Sequence, residues 1–500
     1  MTLVERGVER RRALRPLACA LMLLGVPALA GEPVRPAPTQ ALTAPGQTQW
    51  PARQRQTAPN FQAPSATVCS DAPVFREVPD PQPRPQQVAR DAPGAVRHVR
   101  ERAMRAPPAP SAPPPPPSPS AAVERTAPAE IEVTAGAVAA APVYEDLRAP
   151  SPQPPVPGPV TAGVVDDNAD FGGFLQFLQR HPQTRGLGRD ISLRQRLQVR
   201  DAQGRGVPDA EVVLSAANGA RLWARTDAAG QVWLYPNAFD DQDSARYRVD
   251  VRRDGRQVQA SLRRGQKNAL EVVLPAAAPG PRARLDLVFM VDATGSMGDE
   301  IDKLRGSLQG IVRQIGQLPS NPDICLGLVS YRDRGDEYFV RSWDLTGDVG
   351  AFQGVLDQVR ANGGGDNPEA MNEAFDHAVQ ALGWRGTATT RLLVALADAP
   401  PHLDYDGPRY EDTMLAALGK GIKVFSVAAS GQDRTGETVQ RQIAQYTGGR
   451  FIFLTYKDAS NPASGAGGET VHDVANYSVD TLDALVVRLV REELAKLPKG

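Results

Sequence analysis

The sequence contains little cysteine, little histidine and no excess of either charge, and each scarcity excludes a class of protein. Only three of its 500 residues are cysteine and five are histidine, so neither a disulfide-rich scaffold nor a Cys/His zinc site is expected. The 56 basic and 57 acidic residues leave a net charge of -1, which gives no electrostatic basis for binding nucleic acid. No P-loop, dinucleotide-binding fingerprint or nucleophile–histidine triad stands out, so the protein is expected not to be an enzyme.

Residues 1–30 have the features of a secretory signal peptide. Five arginines precede a short apolar stretch, and Ala28, Leu29 and Ala30 supply the small-x-small pattern of a cleavage site. The apolar stretch is too short to span a bilayer comfortably. We therefore expect an exported protein, with no transmembrane segment in the mature chain, in the periplasm, the cell envelope or the extracellular space.

Residues 31–165 are rich in proline and alanine and hold 30 of the 46 prolines. Few bulky apolar residues occur there, so the stretch is expected to be a disordered, semi-stiff linker. Cys69 lies within it and has no obvious partner, which leaves its role open. Cys325, by contrast, falls in an apolar run and is interpreted as a small core residue.

Two further segments precede the C-terminal half. Residues 166–190 predict a short amphipathic helix, and residues 191–275 show apolar–polar alternation between turn signals, which predicts a small all-β sandwich. The stretches LQVRDAQGRGVPDAEVVL and ARTDAAGQVWLYP resemble the carboxypeptidase-regulatory-like, or collagen-adhesin B-type, module. That resemblance implies a spacer or stalk.

The pattern changes again in residues 284–458. Apolar runs without alternation, typical of strands buried on both faces, are separated by amphipathic helices; the runs are LDLVFMV, ICLGLV, RLLVALA, IKVFSVAA and FIFL. This order predicts an α/β domain with a doubly wound, mostly parallel sheet, whose ligands bind at the carboxyl ends of the strands. A Gly-rich loop (459–478) and a closing helix (479–497) follow.

Three polar residues come directly after the first of these strands. In VFMVDATGSM, Asp292, Thr294 and Ser296 can direct one carboxylate and two hydroxyls at a common point. Hard oxygen ligands of this kind suit Mg²⁺, Ca²⁺ or Mn²⁺. A helix N-terminal cap would use similar residues, so the motif alone leaves both interpretations open.

Two later loops favour the metal. The sequence GGGDNPEAM places Asp366 and Glu369 at a predicted helix start, with Pro368 at its first position, and Asp398 ends another buried strand. If the first and fourth strands are neighbours, Asp292 and Asp398 lie side by side, and a shared cation would relieve their repulsion. Helix and turn caps are the alternative roles for these acids.

Together, DATGSM, GGGDNPEAM and ADAPPH resemble a von Willebrand factor A domain with its metal-ion-dependent adhesion site. The resemblance makes Asp292, Thr294 and Ser296 the first-loop ligands and Asp398 the third-loop carboxylate. The second loop departs from the usual threonine and is similar to the D-x-P-E of integrin β-subunit domains. It therefore implies Glu369 as a primary ligand and Asp366 as a ligand of the same or an adjacent cation, with Mg²⁺ the expected ion and Ca²⁺ or Mn²⁺ as alternatives.

These observations predict an exported adhesion protein whose cation accepts a carboxylate from a protein partner. Two alternatives are a haloacid dehalogenase-like phosphohydrolase that uses Asp292, and an assembly factor for an ATPase or chelatase-type complex. The turn YRDRGDEYF, residues 331–339, is expected near the metal, either as a determinant of partner specificity or as a plain polar hairpin. Its Arg334-Gly335-Asp336 sequence is interpreted as a chance occurrence. His402 could support the metal site from behind or have no role in it.

Overall fold

The computed structural model describes residues 56–61, 69–81, 158–275, 282–365 and 367–498. The predicted signal peptide, most of the proline-rich stretch and Asp366 lie outside these residues, so the predictions made for them stay predictions. Within the described part of the chain, no helix is both long enough and apolar enough to cross a membrane.

The described residues form sixteen strands and eight α-helices. The strands are β1 (Phe75–Val78), β2 (Thr161–Val165), β3 (Gln195–Arg200), β4 (Glu211–Ser215), β5 (Arg221–Arg225), β6 (Gln231–Leu234), β7 (Arg246–Arg253), β8 (Arg256–Arg263), β9 (Leu270–Val273), β10 (Arg284–Asp292), β11 (Asp323–Tyr331), β12 (Val340–Thr346), β13 (Thr389–Ala397), β14 (Ile422–Ala428), β15 (Arg450–Thr455) and β16 (Asp480–Thr481). The helices are α1 (Phe171–Arg180), α2 (Pro236–Phe239), α3 (Gly298–Gly316), α4 (Val349–Leu356), α5 (Met371–Gln380), α6 (Tyr410–Lys420), α7 (Arg434–Tyr446) and α8 (Leu482–Ala495).

A nine-stranded sheet forms the centre of the C-terminal half, in the order β1-β12-β11-β10-β13-β14-β15-β2-β16. Five neighbouring strands run parallel, in the order β11-β10-β13-β14-β15. The other four, β1, β12, β2 and β16, are antiparallel to their neighbours. The doubly wound, mostly parallel sheet is therefore confirmed. The condition under which Asp292 and Asp398 lie side by side is met, since β10 pairs directly with β13.

Two helical layers bury the two faces of this sheet. Along β10, Leu287 and Phe289 join the core formed with α3, α4 and α8, whereas Val288 and Met290 join the core formed with α5, α6 and α7. Because successive strand residues point to opposite faces, both faces must be apolar, which explains the unbroken apolar runs. Each fully buried leucine or phenylalanine contributes about 1.5–3 kcal/mol to folding.

Residues 195–273 form two smaller sheets, β6-β3-β9 and β5-β4-β7-β8. Their buried residues belong to the same core cluster as α6, and the buried Arg391 of β13 forms an ion pair of 2.9 Å with Asp209. This part of the chain therefore packs against the large sheet's helical layer and is not a separate stalk. Its resemblance to the carboxypeptidase-regulatory-like module stays a prediction.

The structure corrects the expectation that residues 31–165 form only a disordered linker. Within that stretch β1 pairs with β12, and β2 pairs with β15 at the other side of the sheet. Cys69 is not without a partner, because it forms a disulfide with Cys325 of β11. The sequence did not indicate the two strand pairings or the disulfide, because the partners are far apart in the chain. The segments around β1, β2 and Cys69 are also rich in proline, which is typical of a linker.

A second correction concerns the loop before α5. The helix begins at Met371, so Pro368 is not its first residue. The Asn367–Pro368 peptide bond is cis, and the residues from Pro368 to Ala370 lead into the helix outside its first turn.

Candidate functional site

The first candidate loop follows β10, which lies between β11 and β13 in the parallel part of the sheet. Asp292 is fully buried, and its Oδ1 accepts hydrogen bonds from the Thr294 N–H at 3.0 Å and from the Thr294 hydroxyl at 2.7 Å. The Thr294 and Ser296 hydroxyl oxygens lie 3.0 Å apart. Asp292 Oδ2 is buried and has no hydrogen-bond partner. The loop therefore gathers three polar side chains and leaves one carboxylate oxygen unsatisfied.

Asp398 lies just beyond β13, next to the end of β10. It is buried, and its Oδ1 has no hydrogen-bond partner. Burial, together with the neighbouring Asp398 carboxylate, raises the pKa of Asp292 to about 8. Burial likewise raises the pKa of Asp398. The two acids thus repel each other in a place where water cannot screen them.

Glu369 brings the second loop to the same place. Its side chain is buried, its Oε2 has no partner, and burial followed by the Asp292 carboxylate raises its pKa to about 9. Gly364 makes this approach possible, because a Cβ there would lie 3.1 Å from both Glu369 Oε1 and Thr294 Cβ. Gly364 also has a φ of 68°, which favours glycine.

The residues present fit a divalent cation. Three buried carboxylates each keep an unpartnered oxygen (Asp292, Glu369 and Asp398), and buried acids are normally paired or bind a metal. In the described part of the chain, no three Asp, Glu, His or Cys side chains form a group that could hold a metal ion by themselves. Asp366 lies outside the described residues, so its assignment as a ligand stays a prediction.

The turn between β11 and β12, residues 332–339, contributes two acids that sequence analysis did not assign to the site. Asp336 Oδ2 accepts hydrogen bonds from the Asp333 N–H at 3.1 Å and from the Gly364 N–H at 2.7 Å. Asp333 Oδ1 lies 2.9 Å from His402 Nε2. The signal was present as two aspartates in a short turn directly after a buried strand, beside the predicted metal site.

His402 belongs to the surroundings of this site. Its backbone N–H donates to the Glu369 carbonyl oxygen at 3.2 Å, and its ring packs at a tilt of 37° against Tyr405, with centroids 4.5 Å apart. Burial lowers the pKa of His402, but the Asp333 and Asp404 carboxylates together outweigh that effect and the net direction is upward.

The Arg334-Gly335-Asp336 sequence is engaged within the protein. The Arg334 guanidinium lies 3.3 Å from the centre of the Tyr405 ring, and Asp336 is occupied by the two backbone N–H groups described above. These contacts hold the tripeptide against its own domain.

Glu300 was also missed by sequence analysis. It lies at the start of α3 and is buried; its Oε1 accepts hydrogen bonds from the Ser430 hydroxyl at 2.6 Å and from the Tyr456 hydroxyl. Its other carboxylate oxygen has no partner. Burial raises the pKa of Glu300, and the charge of Asp398 acts in the same direction. Glu300 thus connects α3 to the loops that follow β14 and β15.

These features define an α/β domain of the doubly wound class, with acidic and hydroxyl side chains converging at the carboxyl ends of neighbouring parallel strands. Residues 286–456 match the family model of the von Willebrand factor A domain, and this part of the chain is such a domain. Domains of this family generally mediate protein–protein interactions and commonly bind a divalent cation.

Three proteins are similar to part of this chain. Alpha-protein kinase vwkA of Dictyostelium discoideum is 29% identical over 123 residues, 24% of this chain and 19% of that protein. Integrin beta-4 of Homo sapiens is 30% identical over 173 residues, 29% of this chain and 9% of that protein. An ariadne-like RING finger protein, R811, of Acanthamoeba polyphaga mimivirus is 33% identical over 121 residues, 24% of this chain and 12% of that protein. The chain spans less than a fifth of the length of these relatives, so the similarity concerns one domain.

Proposed function

We propose that this chain is a non-enzymatic, exported adhesion protein that binds a protein partner through a divalent cation. The ligands would be Asp292, Thr294, Ser296, Glu369 and Asp398, with Asp366 as a ligand of the same or an adjacent ion. The observation that supports the proposal is that three buried acids, Asp292, Glu369 and Asp398, each keep an unpartnered oxygen, and that burial, together with the charges of Asp292 and Asp398, raises the pKa of Glu369. The Thr294 hydroxyl donates to Asp292 and lies 3.0 Å from the Ser296 hydroxyl.

The chemistry of the ligand set favours a hard cation, with Mg²⁺ first and Ca²⁺ or Mn²⁺ as alternatives. When bound, the ion would supply a positive charge that can accept a carboxylate oxygen from the partner. The protein's own part is to hold the two hydroxyls and three acids in place. Asp292 contributes to this by accepting hydrogen bonds from the N–H and hydroxyl of Thr294. Glu369 adds negative charge and should reduce the ion's attraction for the partner.

A phosphohydrolase of the haloacid dehalogenase type has less support. Such an enzyme needs a second acid two residues after its nucleophile, and here that position is Thr294, whose hydroxyl donates to Asp292. Asp292 itself is fully buried, which is unfavourable for attack on a phosphate ester. No described contact favours the assembly-factor alternative.

Calorimetric titration with Mg²⁺ and Mn²⁺ tests the cation site. We expect one tight site per chain in the wild type and none in Asp292→Ala. A matched control is Asp302→Ala on α3, whose side chain is 60% exposed, and this variant should bind like the wild type. Equal binding by all three proteins would contradict the site.

Capture of partners from an envelope extract tests the adhesion role. Proteins retained in Mg²⁺, but lost with chelator and lost again with Asp292→Ala, are the expected specific partners. If the retained set changes with neither treatment, the adhesion role fails even if the cation binds.

A further inference from the structure

The segment from Cys69 to Pro81, here called the strap, contacts the A domain along its length. At its start Cys69 forms the disulfide with Cys325, a fully buried residue of β11. In its middle the edge strand β1 pairs with β12. Near its end Asp80 Oδ2 accepts a hydrogen bond of 2.8 Å from the Gly335 N–H. The strap therefore runs along the sheet edge from the core to the 332–339 turn.

The contacts in the middle of the strap include both exposed and buried partners. Arg76 forms an ion pair of 2.7 Å with the buried Asp344, and Glu77 forms one of 2.7 Å with Arg341. Phe75 faces Trp343 but remains 52% exposed. Backbone hydrogen bonds of 3.2 Å join Ser70 to Leu345 and to Gly347, and Arg76 donates to the Ala381 carbonyl oxygen at 3.1 Å. The disulfide is the covalent link among these contacts, so its reduction leaves the strap held by non-covalent contacts alone.

A short series of hydrogen bonds leads from the strap to the candidate cation site. Asp80 binds Gly335, and the next residue, Asp336, binds the Gly364 N–H at 2.7 Å. The carbonyl oxygen of Gly363 in turn accepts from the Gly295 N–H at 2.9 Å. Gly295 lies between Thr294 and Ser296, so the strap is three contacts away from the hydroxyls of the first loop.

We propose that the Cys69–Cys325 disulfide is a redox control of the cation site. A dithiol reductant attacks the sulfur of Cys69, which is less buried than Cys325, and releases the Cys325 thiolate. The second thiol of the reductant then displaces Cys69, so that two protein thiols form and the dithiol becomes a cyclic disulfide. The freed strap leaves β12, the 332–339 turn loses its Asp80 contact, and the cation is bound less tightly. This inference rests on the proposed cation site.

The test uses the full chain in three forms: oxidised, reduced with dithiothreitol that is then removed, and carrying Cys69→Ser. Mn²⁺ affinity is measured by calorimetry, and opening of the strap by the rate of tryptic cleavage after Arg76. We expect reduction and Cys69→Ser to weaken Mn²⁺ binding about fivefold, a typical coupling between two sites, and to accelerate cleavage about tenfold or more. Cys69→Ser leaves the buried Cys325 in place, so core packing is retained.

Asp80→Ala in the oxidised protein removes the acceptor of the Gly335 N–H and isolates the last step of the path. It should weaken Mn²⁺ binding in the same direction without accelerating cleavage after Arg76, because the disulfide still holds the strap. Equal Mn²⁺ affinity in oxidised and reduced protein would overturn the redox control, as would unchanged cleavage. Absence of Mn²⁺ binding to the oxidised protein would instead be the failure of the proposed function.

Discussion

Asp292 and Asp398 lie at the carboxyl ends of the neighbouring parallel strands β10 and β13, and each keeps one buried carboxylate oxygen without a hydrogen-bond partner. Burial and mutual repulsion favour the protonated acid, which is why the pKa of Asp292 rises to about 8. A cation reverses this preference because it interacts only with the ionised oxygens. The stability and pH behaviour of the domain should therefore depend on the cation.

The first expectation concerns Asp292→Asn. Near neutral pH the asparagine resembles the protonated aspartate, so the metal-free variant should unfold at nearly the wild-type temperature. At a cation concentration one hundred times the Kd, the wild type should gain about 2.7 kcal/mol, whereas the variant should gain nothing. Differential scanning calorimetry with and without Mg²⁺ measures both, and an equal gain in both proteins would contradict the assignment.

The second expectation concerns pH. Asp292 and Glu369 have folded-state pKa values of about 8 and about 9, above their unfolded values, so between about pH 4 and pH 9 the folded state holds more protons. Linkage then requires the metal-free protein to lose stability as pH rises through this window. Cation affinity should increase over the same window, because binding displaces these protons. Calorimetric titration in buffers of different ionisation enthalpy would detect the released protons, and a pH-independent affinity would contradict this account.

The third expectation concerns Gly364→Ala. The added Cβ would contact Glu369 and Thr294 in a left-handed backbone conformation, so we expect a loss of about 1–2 kcal/mol in unfolding free energy. Cation binding should also weaken, since both contacted residues are candidate ligands. Urea denaturation and Mn²⁺ titration measure the two effects. The control is Gly354→Ala in α4, where no atom lies within 4 Å of the new Cβ; it should leave cation binding unchanged and stabilise the helix slightly.

The fourth expectation concerns Asp336→Ala. The variant leaves the N–H groups of Asp333 and Gly364 without their acceptor, which should cost about 1–3 kcal/mol and loosen the second loop. Asp404→Ala is the comparison, because its side chain is 78% exposed and its loss should change stability by no more than about 0.5 kcal/mol. Chemical denaturation of both variants separates the two outcomes; equal destabilisation would mean that Asp336 is only a surface residue.

The fifth expectation concerns Arg391→Ala at the contact between the two small sheets and the A domain. Arg391 holds Asp209 and also donates to the Lys420 and Arg385 carbonyl oxygens. Removing Arg391 takes a positive charge away from the buried Asp209 carboxylate, so we expect the unfolding free energy to fall by about 3–5 kcal/mol. Residues 195–273 should then unfold in a separate transition at a lower temperature. A single unchanged calorimetric transition would show that the contact contributes little.

Much of the candidate site could be predicted because its residues directly follow apolar runs. Asp292 and Asp398 end strands that sequence periodicity identifies, and parallel strands present their carboxyl ends at one edge. Asp333, Asp336 and Glu300 could not be assigned in this way, since their roles depend on backbone N–H groups and hydroxyls from distant loops. The sequence prediction placed Pro368 at the first position of α5, but the helix begins at Met371. Proline is common both at helix starts and in turns, so the motif alone does not distinguish them.

The sequence by itself determined the strand–helix alternation, the parallel sheet and the loops that bear oxygen ligands, because these follow from local periodicity and from short motifs. Only the tertiary structure decided that Cys69 pairs with Cys325, that β1 and β2 extend the sheet, and that residues 195–273 pack against α6. Each of these contacts joins residues that are far apart in the chain. Composition reports whether a segment can bury apolar surface on its own, but it carries no information about a partner surface that another part of the chain provides.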